Sequence, residues 1–306
     1  LEQGNADCLM VQRDTQFESH QEIEGLSRVW VCEFPFAVAQ SELEGHIFID
    51  IDMDDVPMAM IDSMGAQSGA SILRTTGAYV EELLDPNAMT HKWIMHVPPT
   101  ASMEVVSIDS IDSEHGSQHS RRLASSNPGT LSVLVVKVID SAGASIDANN
   151  EELYNDFFGN EFSLKTGIES CSKGQLIIEP AADRGDGESG VVKGITSVVV
   201  EATQETIEDG HRSPLVDGAI SNLEEEYGNI SSEYDLVILC VPHWHSNAAA
   251  YAYINSWLSV YKDNYCQNYA VQMHEIGHNL GFAHSNQDGI EYGDHSGFMG
   301  NGFGDD

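Results

Sequence analysis

The sequence predicts an α/β (α+β) chain in two parts: a smaller β-rich domain over residues 1–122, then a domain over 123–306 in which helices pack on a mixed, mostly parallel sheet. Three observations carry this expectation. In the first part, β-branched and aromatic residues cluster in short runs without helical period. Beyond residue 129, near-continuous apolar runs of strand length alternate with stretches of helical spacing, the pattern of strands buried on both faces. Between the two, residues 107–129 are Ser-rich, contain Gly116 and Pro128, and read as an exposed linker.

Each element has its own signal. In the first part, segments 28–34 (RVWVCEF), 46–52 (HIFIDID), 91–97 and 103–108 read as strands. In the second, 131–139 (LSVLVVKVI) is a buried strand, 149–158 and 163–171 are helices, and 175–179 and 196–201 are strands. Segment 214–227 has helical spacing through Leu215, Ile220, Leu223 and Tyr227. Segment 234–241 is a second buried strand, and 248–255 alternates Ala and Tyr, which suits an edge strand. A last helix over 265–280 ends at Gly281, a natural C-cap. The order β-α-α-β-β-α-β-β-α implies an α/β sandwich.

Charge excludes some functions. The chain carries 13 Lys+Arg against 49 Asp+Glu, for a formal net charge of −36. Phosphate contact needs clustered Lys and Arg, so nucleic acid is excluded, as is docking on an anionic membrane surface. No apolar run is long enough for a transmembrane helix. The acidity reads as a solvated surface that keeps the protein soluble. A second reading is Ca²⁺ binding, with residues 183–188 (DRGDGE) resembling an acidic cation loop without a full EF-hand pattern.

Five cysteines are too few for a disulfide scaffold, and an odd count leaves at least one unpaired within the chain. Cys171 and Cys266 are candidates for one pair. The chain opens at Leu1 with no signal-peptide pattern, which reads as a processed or incomplete start. Arg121-Arg122, the only adjacent basic pair, lies in the linker, where an exposed dibasic site suits a processing protease.

The chemistry concentrates in one motif. Residues 274–284 read HEIGHNLGFAH, that is H-E-x-x-H-x-x-G-x-x-H. Chance would produce these five specified positions in such a chain with odds on the order of 10⁻⁵. His274 and His278, four apart, share a helix face and can bind one Zn²⁺. Glu275 beside them is placed to act as general base on a zinc-bound water. Gly281 lets the chain turn sharply out of the helix, bringing His284 round as third ligand. Three protein ligands leave a fourth position open, the mark of a catalytic zinc site.

With these residues the sequence resembles the metzincin zinc peptidases. The resemblance implies a methionine turn after the third ligand, and Met299, in SGFMG, supplies it. Residues 272–285 (QMHEIGHNLGFAHS) and 291–300 (EYGDHSGFMG) look like gametolysin-type peptidases, the algal cell-wall lytic metalloproteases. Residues 250–257 (AYAYINSW) and 171–176 (CSKGQL) add to that likeness. Matrixins, which share the Ser after the third His, are the runner-up. The resemblance implies a secreted endopeptidase made as a zymogen, with residues 1–122 as pro-segment and a protein substrate such as a cell-wall glycoprotein. The matrixin cysteine-switch motif is missing, but a Cys8 or Cys32 thiolate could cap the zinc in a latent form. His243 and His245 read as part of a loop near the cleft rather than as ligands. Asp294 and His295 precede the methionine turn without an assigned role. By the same likeness, residues 249–253 would pair with an extended substrate.

The chain stops at Asp306, soon after Met299, which suggests a domain cut short. Two rival expectations follow: a zinc-binding but inactive pseudo-peptidase, and an acidic Ca²⁺-binding matrix protein.

Overall fold

The computed structural model describes residues 4–17, 28–34, 48–52, 55–85, 90–108, 129–185, 190–202, 214–243, 248–288, 290–294 and 296–300. The chain forms two compact units, residues 1–14 with 23–121, and residues 15–22 with 122–306. Arg121 and Arg122 lie outside the described residues.

The first unit contains β1 (Gly4–Phe17) as far as Asp14, β2 (Arg28–Glu33), β3 (Phe48–Ile51), α1 (Met58–Ser63), β4 (Ser71–Asp85), β5 (Thr90–His96) and β6 (Ser102–Ser107). β1 pairs antiparallel with β2 through residues 9–14 and with β4 through residues 4–10. β2 runs antiparallel to β3, β3 parallel to β5, and β5 antiparallel to β4. The pairings therefore close into a ring, β1-β2-β3-β5-β4-β1, with β6 on the first half of β4. A sheet closed on itself removes its own edges. A five-stranded barrel with a helix after its third strand has the connectivity of an OB-type barrel. Alternate residues fill the interior, among them Cys8 and Met10, Trp30 and Cys32, Ile49 and Ile51, with Leu73 and Met95.

Sequence patterning misses β1 and β4. β1 has few β-branched residues, and β4 carries adjacent exposed acids at Glu81 and Glu82. Barrel closure, not local propensity, makes them strands.

Cys8 and Cys32, on adjacent strands with Cα atoms 5.4 Å apart, form a disulfide. This corrects the expectation that either presents a zinc-capping thiol, because a disulfide sulfur has no thiolate to offer a metal.

The second unit contains β7 (Thr130–Ile139), α2 (Asn150–Tyr154), α3 (Leu164–Cys171), β8 (Ile177–Pro180), β9 (Ile195–Val199), α4 (Pro214–Tyr227), α5 (Ile230–Glu233), β10 (Leu236–Val241), β11 (Ala248–Ile254), β12 (Leu258–Lys262) and α6 (Tyr269–Asn279). β10 runs parallel to both β12 and β7. β8 and β9 lie in tandem along the far side of β7, both parallel to it. β11 returns antiparallel on β12. The sheet is thus mixed and mostly parallel, and β10, buried throughout, and β7, buried at six of its ten residues, are the continuous apolar runs of the sequence.

The helix starts follow local chemistry. Asn149 and Ser163 each cap a helix through a reciprocal capping box, with Glu152 and Thr166. A π-helical turn, Asn155–Gly159, carries Phe157 and Phe158 into the core. β12 and α5 are absent from the sequence-based order, since five and four residues are too short to show a period. Every residue of β11 is buried.

A disulfide joins Cys240, in β10, to Cys266, in the 3₁₀ turn Asp263–Gln267. The expected Cys171–Cys266 pair is therefore incorrect, and Cys171 is free and exposed at the end of α3. No helix among the described residues is long and apolar enough to cross a membrane.

Candidate metal centre

The motif begins on α6. Asn268 caps it, accepting hydrogen bonds from the backbone N–H of Ala270 at 3.0 Å and Val271 at 3.2 Å. The predicted helix over 265–280 starts later than expected, because the 3₁₀ turn and this cap precede it. Residues 271–279 are buried on every side. Asn279 fixes the helix against the sheet by donating to the carbonyls of Tyr253 at 3.1 Å and Leu258 at 2.9 Å. Gly167 lets α3 approach, since a Cβ there would run into Tyr269 and Met273.

The helix ends as the motif requires. Gly281 has φ +87°, its N–H bonds the His278 carbonyl at 2.8 Å, and the Phe282 N–H bonds the Gly277 carbonyl at 2.9 Å. This is a Schellman turn, which only a residue at ease in the left-handed region closes without strain. It reverses the chain and returns His284 to the helix.

The three histidines converge. One ligand atom from each of His274, His278 and His284 lies within 4.8 Å of the other two. The Nε2 atoms of His274 and His278 are 3.0 Å apart. Donors bound to a tetrahedral zinc at roughly 2.0–2.1 Å stand about 3.3 Å apart, so the spacing suits one ion.

The outer nitrogens decide the tautomers. His274 Nδ1 lies 2.5 Å from the Phe298 carbonyl, His278 Nδ1 2.9 Å from the Phe282 carbonyl, and His284 Nδ1 2.8 Å from Glu291 Oε1. All three partners accept only, so each Nδ1 carries the proton and each Nε2 keeps its lone pair. Two lone pairs facing each other at 3.0 Å repel unless a cation or a further proton lies between them. Burial holds the His274 imidazole down at about 4, against an upward pull from the Phe298 carbonyl. The ring is therefore neutral at pH 7, the form that ligates metal. The residues fit a zinc ion in donor type, number, tautomer and spacing.

Glu275 follows His274 on α6 and is fully buried. Its charge, second to burial itself, helps raise the Tyr261 phenol well above its ordinary range. A carboxyl group thus lies inside the core, next in sequence to the first histidine of the triad.

Met299 sits under the helix. A Cβ on Gly277 would collide with the Met299 sulfur, so the glycine inside the motif leaves the space that the methionine fills. Gly297 and Gly300 close the turn through a backbone bond of 3.0 Å. Ser285, next to the third histidine, donates its N–H to the Met299 carbonyl at 2.8 Å. Asp294 shapes the approach by accepting from the Ser296 N–H and hydroxyl at 2.8 and 2.7 Å.

Several of these residues escape sequence reasoning. Glu291 orients His284 because Gln287 pairs antiparallel with Ile290 and the Asn286 N–H bonds the Glu291 carbonyl at 3.1 Å. Gly277, Asn279 and the Phe282 and Phe298 carbonyls act through contacts invisible in a one-dimensional pattern. His243 is exposed, 3.7 Å from Asp263. His245, His295 and residues 186–188 of the expected cation loop lie outside the described residues.

No curated protein and no solved structure matches the chain. Over residues 233–304, which hold β10, β11, β12, α6, the three histidines and Met299, the chain matches the family model of gametolysin peptidase M11.

Proposed function

We propose that this chain is a zinc-dependent endopeptidase in which His274, His278 and His284 hold the ion and Glu275 is the general base. The observation that carries the reading is the histidine triad with all three Nδ1 atoms turned outward onto acceptors. A structural zinc site would close the fourth position with protein, whereas three histidines leave it for water or substrate. When bound, zinc would polarise the scissile carbonyl and acidify a water in the open position.

The chain's own residues supply the remainder. Glu275 takes a proton from the attacking water as the new C–O bond forms. It then delivers that proton to the departing amide nitrogen as the C–N bond breaks. Glu291 keeps His284 in the ligating tautomer. Phe282 and Ile290, 57% and 60% exposed on either side of His284 in sequence, offer apolar contact to a peptide. The substrate class is protein, with cell-wall glycoprotein the candidate that the gametolysin likeness favours. Two disulfides fit an oxidising, extracellular setting. On this reading residues 1–122 are a pro-segment, removed after Arg122.

Glu275→Ala is the test. It should retain one equivalent of zinc at the histidines and lose nearly all cleavage of a casein substrate. Turnover at the parent rate in that variant would refute the assignment.

A further inference from the structure

The barrel unit holds a second group of metal-ligating side chains, away from the peptidase motif in sequence and outside the family match. His96 ends β5, Asp52 follows β3, and Asp55 lies in the turn before α1. Strand register builds the group. β3 and β5 pair in parallel with Ile51 opposite Met95, and the Asp52 N–H bonds the Met95 carbonyl at 2.9 Å. That pairing sets Asp52 beside His96. The Val56 N–H then bonds the Asp52 carbonyl at 3.0 Å, which folds Asp55 back to the same place.

The donor atoms converge. His96 Nδ1 is 2.9 Å from Asp52 Oδ2 and 3.3 Å from Asp55 Oδ2, and one ligand atom from each residue lies within 4.8 Å of the others. The opposite nitrogen, Nε2, faces Glu81 Oε2 at 3.3 Å, and Tyr79 stacks on the ring at 5.0 Å. Nε2 makes no hydrogen bond among the described residues, while Nδ1 faces the two carboxylate oxygens; an ion among the three residues would take the Nδ1 lone pair and leave the ring proton on Nε2, on the Glu81 side. With an ion bound, this would be a carboxylate–histidine–metal arrangement like the one proposed for Glu291 and His284, with the ring reversed.

We propose that Asp52, Asp55 and His96 form a second divalent-cation site, with Glu81 orienting the histidine and zinc as the preferred ion. An imidazole with two carboxylates suits a first-row ion such as zinc better than calcium, which takes oxygen ligands. The donor spacings approach the roughly 3.3 Å expected around tetrahedral zinc. The three side chains are 16–29% exposed, so an ion can enter from solvent. Bound there, the ion clips the turn after β3 to the end of β5.

Zinc stoichiometry after equilibrium dialysis of the full chain tests this. The parent should hold two equivalents and a His274→Ala/His278→Ala chain one. Adding Asp55→Asn and His96→Gln to that chain should leave none, and should abolish the fall in melting temperature that EDTA otherwise causes. Asp55→Asn alone, at an exposed turn position, guards against unfolding and should weaken the second equivalent at least tenfold. A folded His274→Ala/His278→Ala chain that binds no zinc overturns the proposal. So does unchanged second-site binding in the Asp55→Asn/His96→Gln chain, the second ion then being held elsewhere. Failure of the histidine centre would instead remove the equivalent that Asp55→Asn leaves untouched.

Discussion

Glu291 is where the proposed metal centre can be weakened without touching a proposed ligand. Its carboxylate accepts from His284 Nδ1 at 2.8 Å, the length of a charge-assisted hydrogen bond. The His284 side chain is 1% exposed, so rotation of the freed ring has no solvent to compensate it. Glu291 itself is 37% exposed, which screens part of its charge. Loss of such an outer partner weakens metal binding by about 10–100-fold, or roughly 1.4–2.8 kcal/mol. Glu291→Gln keeps an acceptor and loses the charge, so it should fall near the tenfold end. Glu291→Ala removes both and should approach the hundredfold end. Competition for zinc against a chromophoric chelator reads the difference directly, and the metal-free variants should melt within a few degrees of the metal-free parent. Zinc affinity within twofold of the parent in both variants would refute the reasoning, because the tautomer would then be set by something other than Glu291.

Three further outcomes follow from the same geometry. Gly277→Ala places a methyl where the Met299 sulfur sits, so the methionine must move; peptidase activity should fall at least tenfold while zinc content falls less, read by parallel assay and metal analysis. Replacing both Cys240 and Cys266 by Ala opens a bridge spanning 26 residues, and urea denaturation should show a loss of about 3–4 kcal/mol. The buried His274 has its pKa lowered to about 4, so the unfolded chain takes up a proton first as pH falls. That contribution to stability is whole above about pH 6.5 and is lost between there and pH 4, up to about 3 kcal/mol in metal-free protein. Equal urea midpoints for the metal-free chain at pH 7 and pH 4 would count against it.

The sequence determined the motif and the elements with strong local signals. β7, β10 and α4 appear within two residues of where apolar runs and helical spacing put them. His274, His278, Gly281 and His284 carry their geometry in their spacing, because a helix repeat and a left-handed glycine are local properties. Tertiary structure decided what depends on partners distant in the chain. β1 and β4 become strands because the barrel closes through them. Cys266 pairs with Cys240 rather than Cys171 because β10 ends beside its turn. Glu291 reaches His284, and His96 reaches Asp52 and Asp55, only after a short antiparallel bridge and a strand register bring them together. Periodicity records which face of an element is buried. It does not record what the element is buried against, and that is why the candidate ligands were legible in the sequence while the residues that orient them were not.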